Sequence, residues 1–216
     1  MKLIKAPTLA RAHELAVKYV MDHGTIVHTE DEELTVETDE ICIEVRSPLE
    51  EPMLSPKSKF KLKFVQEYAD HLLHGNTSEF EYDYHERLFE WFGMTDQIQY
   101  IINTLKDNVT SRRAIAITWE PTTDQIVPDV PCLQLVQCIR RSGKLHMKVV
   151  FRSNDVLSAM GSNMYALVML QKYIADALEV PVGYYTHIAL VPHIYYRRDA
   201  SDIGAFADDG SYSVRI

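Results

Sequence analysis

The chain has 216 residues, of which 46% are hydrophobic and 25% are charged, a balance that is typical of a globular fold with one substantial core. The formal net charge is −9, from 22 basic and 31 acidic residues. General nucleic-acid binding needs clustered positive charge, so the composition argues against that class and requires a local basic site for any bound phosphate. One domain over residues 1–216 is the simplest organisation.

The first half of the chain alternates between helical and extended patterns. Residues 9–21 carry apolar side chains at helical spacing after a charged start, and predict a helix. Residues 25–45 alternate in short patches, which predicts two or three strands with an acidic turn at residues 30–33. Three prolines in residues 47–56 indicate a loop, and residues 57–73 predict a second helix.

The middle of the chain is less regular. Residues 79–92 are rich in aromatic side chains and fit neither pattern. Asp96 is a candidate N-cap for a helix that runs to about residue 106. Residues 114–119 predict a strand, and the three prolines of residues 120–131 indicate a loop.

The last third contains a predicted hairpin and the strongest helix. Residues 132–140 and 144–151 are apolar runs joined by Arg141-Ser142-Gly143, which predicts a β-hairpin. Residues 163–178 have almost no charge in their first half, so this helix is predicted to be buried. Residues 182–191 predict a strand, and residues 200–216 form a small, polar tail. The alternation favours an α+β class over a regular βαβ repeat.

The three cysteines do not suggest disulfides or metal binding. Cys42, Cys132 and Cys138 are odd in number and irregularly spaced, and no pair has CxxC spacing. The N-terminus lacks the apolar core of a signal peptide, and no apolar run approaches the roughly 20 residues of a membrane helix. We therefore expect a soluble protein of the cytoplasm with no metal site and no membrane partner.

Cys132 is the candidate nucleophile. A lone cysteine in an apolar strand is usually a core residue, and Cys42 and Cys138 suit that interpretation. Cys132 differs because it follows a proline-bearing loop and opens a strand, a place where reactive groups are often found. Nucleophilic attack needs the thiolate, which nearby positive charge favours. Arg152 supplies that charge if the hairpin brings the strand ends together.

Two basic pieces are candidates for phosphate binding. Arg112 and Arg113 are either a solvated surface pair or a phosphate clamp, since guanidinium groups match phosphate oxygens. Arg152 and Ser153 offer a guanidinium and a hydroxyl donor side by side. The same chemistry is therefore present at two places in the chain.

Three polar residues further along have both a structural and a binding interpretation. Asn163 at a helix start is either a cap or a ligand, because an amide can donate and accept at once. His193 and Tyr195, two apart on a predicted strand, are either satisfied polar residues or partners for one hydroxyl group. Each signal is weak when it is taken alone.

In chain order these pieces resemble the pattern of the thymidylate synthase family. That pattern is a paired arginine, Pro-Cys, Arg-Ser-x-Asp, an asparagine and His-x-Tyr, and the spacings agree here. The pieces in this chain are Arg112-Arg113, Pro131-Cys132, Arg152-Ser153-Asn154-Asp155, Asn163 and His193-Ile194-Tyr195. The resemblance covers residues 82–195, and the short chain is similar to the archaeal-type members. The segment from Tyr82 to Arg87 is similar to the family's Tyr-Gly-x-x-x-Arg.

The resemblance implies a fold, a reaction and an assembly. The fold would be a thymidylate synthase-like mixed β-sheet packed against helices, through which two chains form a homodimer. The enzyme would be a methyltransferase that converts dUMP to dTMP. The carbon donor would be 5,10-methylenetetrahydrofolate or a related methylene-tetrahydropterin, since short members can use a modified pterin.

The resemblance also implies how the nucleotide is held and attacked. Cys132 would add to C6 of the uracil ring, and this covalent step is consistent with thiolate chemistry. Arg152 and Ser153 would hold the 5′-phosphate, and Arg152 would help to activate the thiol. Arg112 and Arg113 would reach the phosphate bound by the neighbouring subunit.

The remaining implied roles concern the base, the sugar and the pterin. Asn163 would hydrogen-bond the N3 and O4 edge of uracil. His193 and Tyr195 would bind the 3′-hydroxyl of the deoxyribose. Asp155 would contact the pterin, and Tyr82 would help to organise water for removal of the C5 proton.

Several positions depart from the family pattern. Phe151 stands where a glutamine precedes the phosphate arginine, and Leu133 stands where a histidine often follows Pro-Cys. The family helix whose glutamate organises proton transfer has no clean match. Residues 66–75 occupy its place, where Glu67 is either the catalytic glutamate with its register off by one or a surface carboxylate.

Two other functions stay open at this point. A deoxycytidylate hydroxymethylase has the same fold and nucleophile, and usually carries aspartate at the asparagine position, so Asn163 favours uracil. A non-catalytic, nucleotide-binding regulatory protein is the second alternative. The departures at Leu133, Phe151 and Glu67 are the reason to keep it.

Overall fold

The computed structural model describes residues 1–75 and 83–206, which form ten strands and seven helices. The strands are β1 (Lys2–Ala6), β2 (Thr25–His28), β3 (Leu34–Glu37), β4 (Ile41–Val45), β5 (Ile115–Ile117), β6 (Leu133–Arg141), β7 (Lys144–Phe151), β8 (Asn154–Asp155), β9 (Val182–Ala189) and β10 (Pro192–Tyr195). The helices are α1 (Leu9–His23), α2 (Leu62–His74), α3 (Tyr84–Phe89), α4 (Gln97–Asp107), α5 (Pro121–Asp124), α6 (Met160–Ala177) and α7 (Ala200–Phe206).

A six-stranded mixed sheet has the order β1-β4-β9-β7-β6-β5. β1 runs parallel to β4 and β9 runs parallel to β7, whereas the other neighbours are antiparallel. Side chains alternate between the two faces, so Tyr185, His187 and Ala189 are buried while Thr186 and Ile188 are partly exposed. One face therefore carries the core, and the other is only partly covered.

A second sheet has the order β2-β3-β10-β8. β3 is antiparallel to β2 and to β10, and the short β8 pairs with β10 in parallel. The chain leaves the first sheet at Ala189 and enters the second at Pro192. This crossing places Asp155 opposite His193 at the junction of the two sheets.

Helix α6 lies at the centre of the helical layer. It contacts α1 and α2 as well as strands β7 and β9, and Leu167, Val168, Leu170 and Ile174 are among its buried residues. A helix with apolar neighbours on most of its surface has no room for charge, which explains its uncharged first half. The predicted burial and the α+β class are both confirmed.

Elements with strong local signals are confirmed. The β6–β7 hairpin turns through Ser142 and Gly143, which have φ values of 50° and 72°, as a two-residue hairpin turn requires. The Asp96 side chain accepts a hydrogen bond from the Gln99 N–H at 2.7 Å and so caps α4 as predicted.

Two predicted helix starts are wrong. α2 begins at Leu62 and not at residue 57, because a turn closed by the Ser58 N–H and the Ser55 carbonyl at 3.0 Å precedes it. α6 begins at Met160, so Asn163 lies inside its first turn and is not the cap. The side chain of Asn163 is thereby available for other contacts.

The two ends of the described chain also differ from prediction. Residues 2–6 form β1, where the sequence indicated only a charged start, because they pair in parallel with β4. Residues 200–206 form α7, which was predicted to be part of a polar tail. Within residues 1–75 and 83–206, no helix has the length and apolar character needed to cross a membrane.

His187 is buried in the middle of β9 and is held by hydrogen bonds on both ring nitrogens. Its Nε2 lies 2.9 Å from Asn154 Oδ1, which can only accept, so Nε2 carries the proton. The Tyr185 hydroxyl lies 2.9 Å from Nδ1 and donates to it. Burial lowers the pKa of His187 to about 3, so the ring is neutral in the folded state at neutral pH.

We predict that the free energy of unfolding falls as the pH drops from 6.5 towards 3, in part because of His187. The unfolded chain binds a proton at this histidine below about pH 6.5, whereas the native protein does not do so until about pH 3. Above about pH 6.5 His187 is neutral in both states, so the free energy of unfolding has its full value there. Between the two pKa values His187 lowers this free energy by at most about 1.4 kcal/mol for each unit of decreasing pH. Urea unfolding at a series of pH values measures it.

The His187→Gln variant separates this contribution from that of His13, whose pKa is also lowered by burial. Glutamine does not titrate, so the variant should lose stability less steeply with decreasing pH, whatever its stability at pH 7. Parallel curves for the two proteins would contradict the assignment.

Candidate active site

A cavity of about 680 Å³ lies where α2, the start of α6 and the second sheet meet the open end of the β6–β7 hairpin. Ligand pockets of small molecules typically have this size. Seven predicted site residues line it: Cys132, Arg152, Ser153, Asp155, Asn163, His193 and Tyr195. Residues that lie far apart in the sequence are thus brought to one place.

Cys132 and Arg152 are joined through the backbone at the open end of the hairpin. The Arg152 N–H donates to the Cys132 carbonyl at 2.8 Å. The guanidinium then reaches back over the preceding loop, where Nε donates to the Pro131 carbonyl at 3.1 Å and Nη2 to the Val130 carbonyl at 2.9 Å. The arginine therefore both carries positive charge near the thiol and fixes the loop that leads to it.

The second sheet and the residues next to its strands β8 and β10 contribute a group of polar side chains. Ser153 Oγ lies 3.1 Å from His193 Nδ1, and the His193 ring meets the Tyr195 ring edge to face at 5.1 Å. The Arg198 guanidinium lies 3.9 Å from the Tyr195 ring centroid. Burial, followed by the charge of Asp155, raises the pKa of Tyr195, so its hydroxyl remains a donor at neutral pH.

Asp155 is held by donors on both sides of its carboxylate. Oδ1 accepts from the Ser158 N–H at 2.9 Å, and Oδ2 accepts from the Arg198 guanidinium. Arg198 also binds Asp199, which accepts from Lys59 at 2.8 Å. Burial opposes ionisation of Asp199, but these two cations outweigh it and hold the pKa of Asp199 below its usual value.

Asn163 projects from the first turn of α6, and its amide is oriented by a tyrosine. The Tyr68 hydroxyl of α2 lies 3.1 Å from Asn163 Oδ1 and donates to it. The amide oxygen retains a second lone pair, and the NH2 group can still donate. Such an arrangement suits a planar ring that has a donor and an acceptor side by side.

Residues 58–201 match the family model described as thymidylate synthase. This span is well over half of the chain and contains every predicted site residue that lines the cavity. The chain belongs to the thymidylate synthase family. The resemblance read from the motifs is therefore confirmed, and membership makes the protein an enzyme of the methyltransferase class.

Archaeal relatives are similar over most of their length, and each is named "Putative thymidylate synthase". The relative from Methanocaldococcus jannaschii is 43% identical over 209 residues, which cover 92% of this chain and 93% of its own. Those from Methanosarcina barkeri and Methanococcoides burtonii are 35% and 34% identical over 195 residues, 90% of this chain and 89% of theirs. Thymidylate synthases bind dUMP and a folate-type substrate.

The structure places three other predicted site residues outside the cavity. Glu67 points to solvent, with 66% of its side chain exposed, and pairs with Lys63 at 3.8 Å. Arg112 and Arg113 line a separate surface depression beside Ser111. Tyr82 lies outside the described residues, so its role stays a prediction. No group of three or more potential metal ligands occurs in the part of the chain that the structure describes.

Sequence reasoning missed several polar residues of the cavity. Tyr68 and His71 lie one turn apart on α2, and Asp83 and Tyr84 begin α3. The Tyr84 hydroxyl accepts from the Leu133 N–H at 2.9 Å, directly after the candidate nucleophile. The helical spacing of Tyr68 and His71 was the available signal, since i and i+3 share one helix face.

The loop before Cys132 is anchored by a buried ion pair. Arg87 of α3 makes a two-point contact with Asp124 of α5, at 2.7 Å and 3.2 Å, and Asp124 is 1% exposed. Asp124 also accepts from the Glu120 N–H at 2.7 Å, and Arg87 donates to the Thr118 carbonyl. The arginine of the Tyr-x-x-x-x-Arg segment thus has a structural partner in the loop that leads to the nucleophile.

We predict that Asp124→Ala lowers the free energy of unfolding by about 3 kcal/mol or more, because it leaves Arg87 buried without its counter-charge. Urea unfolding with circular dichroism measures the change. In the double variant Arg87→Met, Asp124→Leu no charge is left uncompensated. Its loss of unfolding free energy should therefore be smaller than the sum of the losses in the single variants Arg87→Met and Asp124→Leu. Simple additivity would show that the two side chains are not coupled.

Proposed function

We propose that this thymidylate synthase family member converts dUMP to dTMP by reductive methylation, with Cys132 as the nucleophile. The observation that carries the proposal is that Cys132, Arg152 and Asn163 line one cavity of nucleotide size, with Arg152 hydrogen-bonded to the nucleophile's own carbonyl. A thiol, a cation and an amide around one space are what addition to a uracil ring requires.

The reaction begins when the Cys132 thiolate adds to C6 and forms a carbon–sulfur bond. The electron pair of the C5–C6 double bond moves onto C5 and O4, so C5 becomes nucleophilic. When bound, a methylene-tetrahydropterin supplies the one-carbon unit and then hydride. The proton on C5 must leave, and when the C5–C6 double bond forms again the thiolate is released. Arg152 favours the thiolate at both ends of this sequence.

The 5′-phosphate lies against Arg152 and Ser153 in this proposal. Two nitrogen groups of Arg152 already bind loop carbonyls, which leaves Nη1 to donate to a phosphate oxygen. The Ser153 hydroxyl is the second donor, since His193 can donate to its oxygen. One guanidinium and one hydroxyl do not neutralise a dianion, so further cations are needed.

The amide group of Asn163 recognises the base through hydrogen bonds. Its NH2 group donates to O4 of uracil, and the free lone pair of Oδ1 accepts from the N3–H. Cytosine has the opposite pattern at these two atoms, with an acceptor at N3 and a donor at N4. The Tyr68 hydroxyl favours the uracil arrangement, because it donates to Oδ1 and opposes rotation of the amide. This contact supports dUMP over the dCMP of a hydroxymethylase.

His193 and Tyr195 bind the 3′-hydroxyl of the sugar, and Asp155 contacts the pterin. All three line the cavity that contains Cys132. Asp155 suits a pterin because its carboxylate, oriented by Arg198 and Ser158, can accept from ring N–H groups. The co-substrate is 5,10-methylenetetrahydrofolate or a related methylene-tetrahydropterin.

The active form is a homodimer that associates through the open face of the six-stranded sheet. A continuous apolar row crosses all six strands on that face, and strand register makes each member a neighbour of the next. The row consists of Leu3, Cys42, Ile188, Val150, Leu135 and Ile117. Its ends are exposed, with 51% for Leu3 and 45% for Ile117. A second copy would cover it.

Residues 1–216 form one catalytic domain of a cytoplasmic enzyme in this proposal. Buried side chains from α1 to α7 join into one core cluster, which supports a single unit. All three cysteines are free, which suits a reducing compartment.

We predict that Cys132→Ser lowers release of tritium from C5-labelled dUMP by at least about 1,000-fold, because the hydroxyl is a far weaker nucleophile. The assay contains a methylene-tetrahydropterin donor, and mass spectrometry identifies dTMP. Donors of the tetrahydrofolate and tetrahydromethanopterin types are tested separately. Nucleotide binding by the variant, measured by calorimetry, should remain.

Cys138→Ala is the matched control, since Cys138 is a fully buried thiol whose pKa burial raises to about 12. It should retain activity. Turnover by the Cys132→Ser variant at the wild-type rate would contradict the proposal. Turnover of dCMP alone would assign the chain to the hydroxymethylases, and binding without any turnover by the wild type would assign it to the regulatory class.

We predict that inactive Cys132→Ser and inactive Arg113→Ala proteins regain activity when they are mixed and allowed to exchange subunits. If Arg112 and Arg113 act on the partner's phosphate site, each mixed dimer contains one site with an intact cysteine and an intact arginine. Random exchange then restores roughly a quarter of the wild-type activity. The dUMP assay of the mixture measures it.

Val150→Asp introduced into both proteins is the control, because it places a carboxylate in the middle of the apolar row. Sedimentation should then report monomers, and mixing should restore nothing. No recovery from mixed dimers that do form would place the arginines outside the partner's site.

A further inference from the structure

The proposed reaction needs a group that accepts the C5 proton, and this inference rests on that proposed function. Thymidylate differs from dUMP by a methyl group where C5 carried hydrogen, so a base must take the proton. Glu67 points away from the cavity, and position 133 is leucine. Tyr68, His71 and Leu72 are the residues of α2 that line the cavity, and of these three only His71 carries a ring nitrogen that can accept a proton.

His71 is paired with a carboxylate. Its Nε2 lies 2.9 Å from Asp83 Oδ2, and the two side chains are only 22% and 17% exposed. The other oxygen of Asp83 accepts from the His85 N–H at 2.7 Å at the start of α3, which fixes the carboxylate. The negative charge of the Asp83 carboxylate favours the tautomer with the proton on Nε2, so the neutral ring keeps Nδ1 as its basic nitrogen. The described residues provide no hydrogen-bond partner for Nδ1.

The neighbours of this pair are the groups that hold the base and the nucleophile. Tyr68, one turn before His71, donates to Asn163, which reads the uracil edge in the proposed function. Tyr84, next to Asp83, accepts from the N–H of the residue that follows Cys132. His71 and Asp83 line the same cavity as Asn163 and Cys132, the two residues that hold the base and attack it in the proposed function.

We propose that His71 accepts the C5 proton, directly or through one water molecule, and that Asp83 positions and stabilises it. In this step the C5–H bond breaks, its electron pair stays on the ring as the C4–O4 enolate, and the proton moves to Nδ1. The resulting imidazolium donates from Nε2 to the Asp83 carboxylate, which compensates its charge. The enolate electrons then drive loss of the amine to which the new carbon is attached, and that amine takes up a proton.

Two assays on the same variants test this step. Tritium release from C5-labelled dUMP follows proton removal. Covalent adduct formation with 5-fluoro-dUMP and the donor, detected by mass spectrometry, follows attack by Cys132, because fluorine at C5 cannot leave as a cation. We expect His71→Ala to lower tritium release by about 100-fold or more, the range for loss of a general base, while the fluorinated adduct forms as in the wild type.

Three further measurements separate proton transfer from a structural role. Imidazole added in solution should partly restore tritium release by His71→Ala. Asp83→Asn, which keeps the cap of α3, should lower release about tenfold with the adduct unchanged. His74→Ala is the matched control, because His74 lies one turn later on α2, also faces an aspartate, and is 61% exposed. It should behave as the wild type.

The outcomes distinguish this role from the function on which it rests. Unchanged tritium release by His71→Ala, or an equal loss of release and of adduct formation, would overturn the proton-transfer role and leave the methylation intact. Failure of the wild type to form the adduct would overturn the proposed function, and the role of His71 with it.

Discussion

The backbone hydrogen bond from the Arg152 N–H to the Cys132 carbonyl closes the open end of the β6–β7 hairpin, and the cavity is arranged around it. Because both strand ends are fixed at one point, the guanidinium reaches the carbonyls of Val130 and Pro131 and holds the loop that leads to the thiol. The chain beyond β7 then enters β8, whose pairing with β10 brings His193 to the same cavity. A single local closure therefore sets the distances among charge, nucleophile and the second sheet.

The elements of the fold that could be predicted are those whose sequence signal lies within the element itself or in the adjoining turn. The hairpin was predictable, because two apolar runs flank a Ser-Gly turn whose backbone has positive φ. β1 and the pairing of β10 were not, because their partner strands lie far along the chain; the register of β10 pairs His193 with Glu37. The start of α6 was misplaced because its first residues carry no capping signal. Ala159 precedes the helix without a side-chain cap, so Asn163 looked like the first capping residue.

Prediction of the site residues was limited in the same way. The order and spacing of the motifs were enough to name the seven predicted residues that line the cavity. On α2 it was not enough, because one residue step turns a helical side chain by about 100°. Glu67 therefore faces solvent, while Tyr68 and, one turn later, His71 face the cavity. Asp83 was unpredictable because it meets His71 only through the packing of α3 on α2.

The charge of a bound phosphate connects the cavity to the proposed homodimer. A chain with a net charge of −9 must bind a nucleotide phosphate, yet Arg198, one of two arginines in the described lining, is already neutralised by Asp155 and Asp199. Arg152 alone cannot balance a dianion, and part of its guanidinium holds the loop. Arg112 and Arg113 lie outside the cavity of their own chain. If a partner supplies them, association through the apolar row brings the cations that balance the phosphate charge. A monomer would then bind phosphate weakly, even with its nucleophile in place.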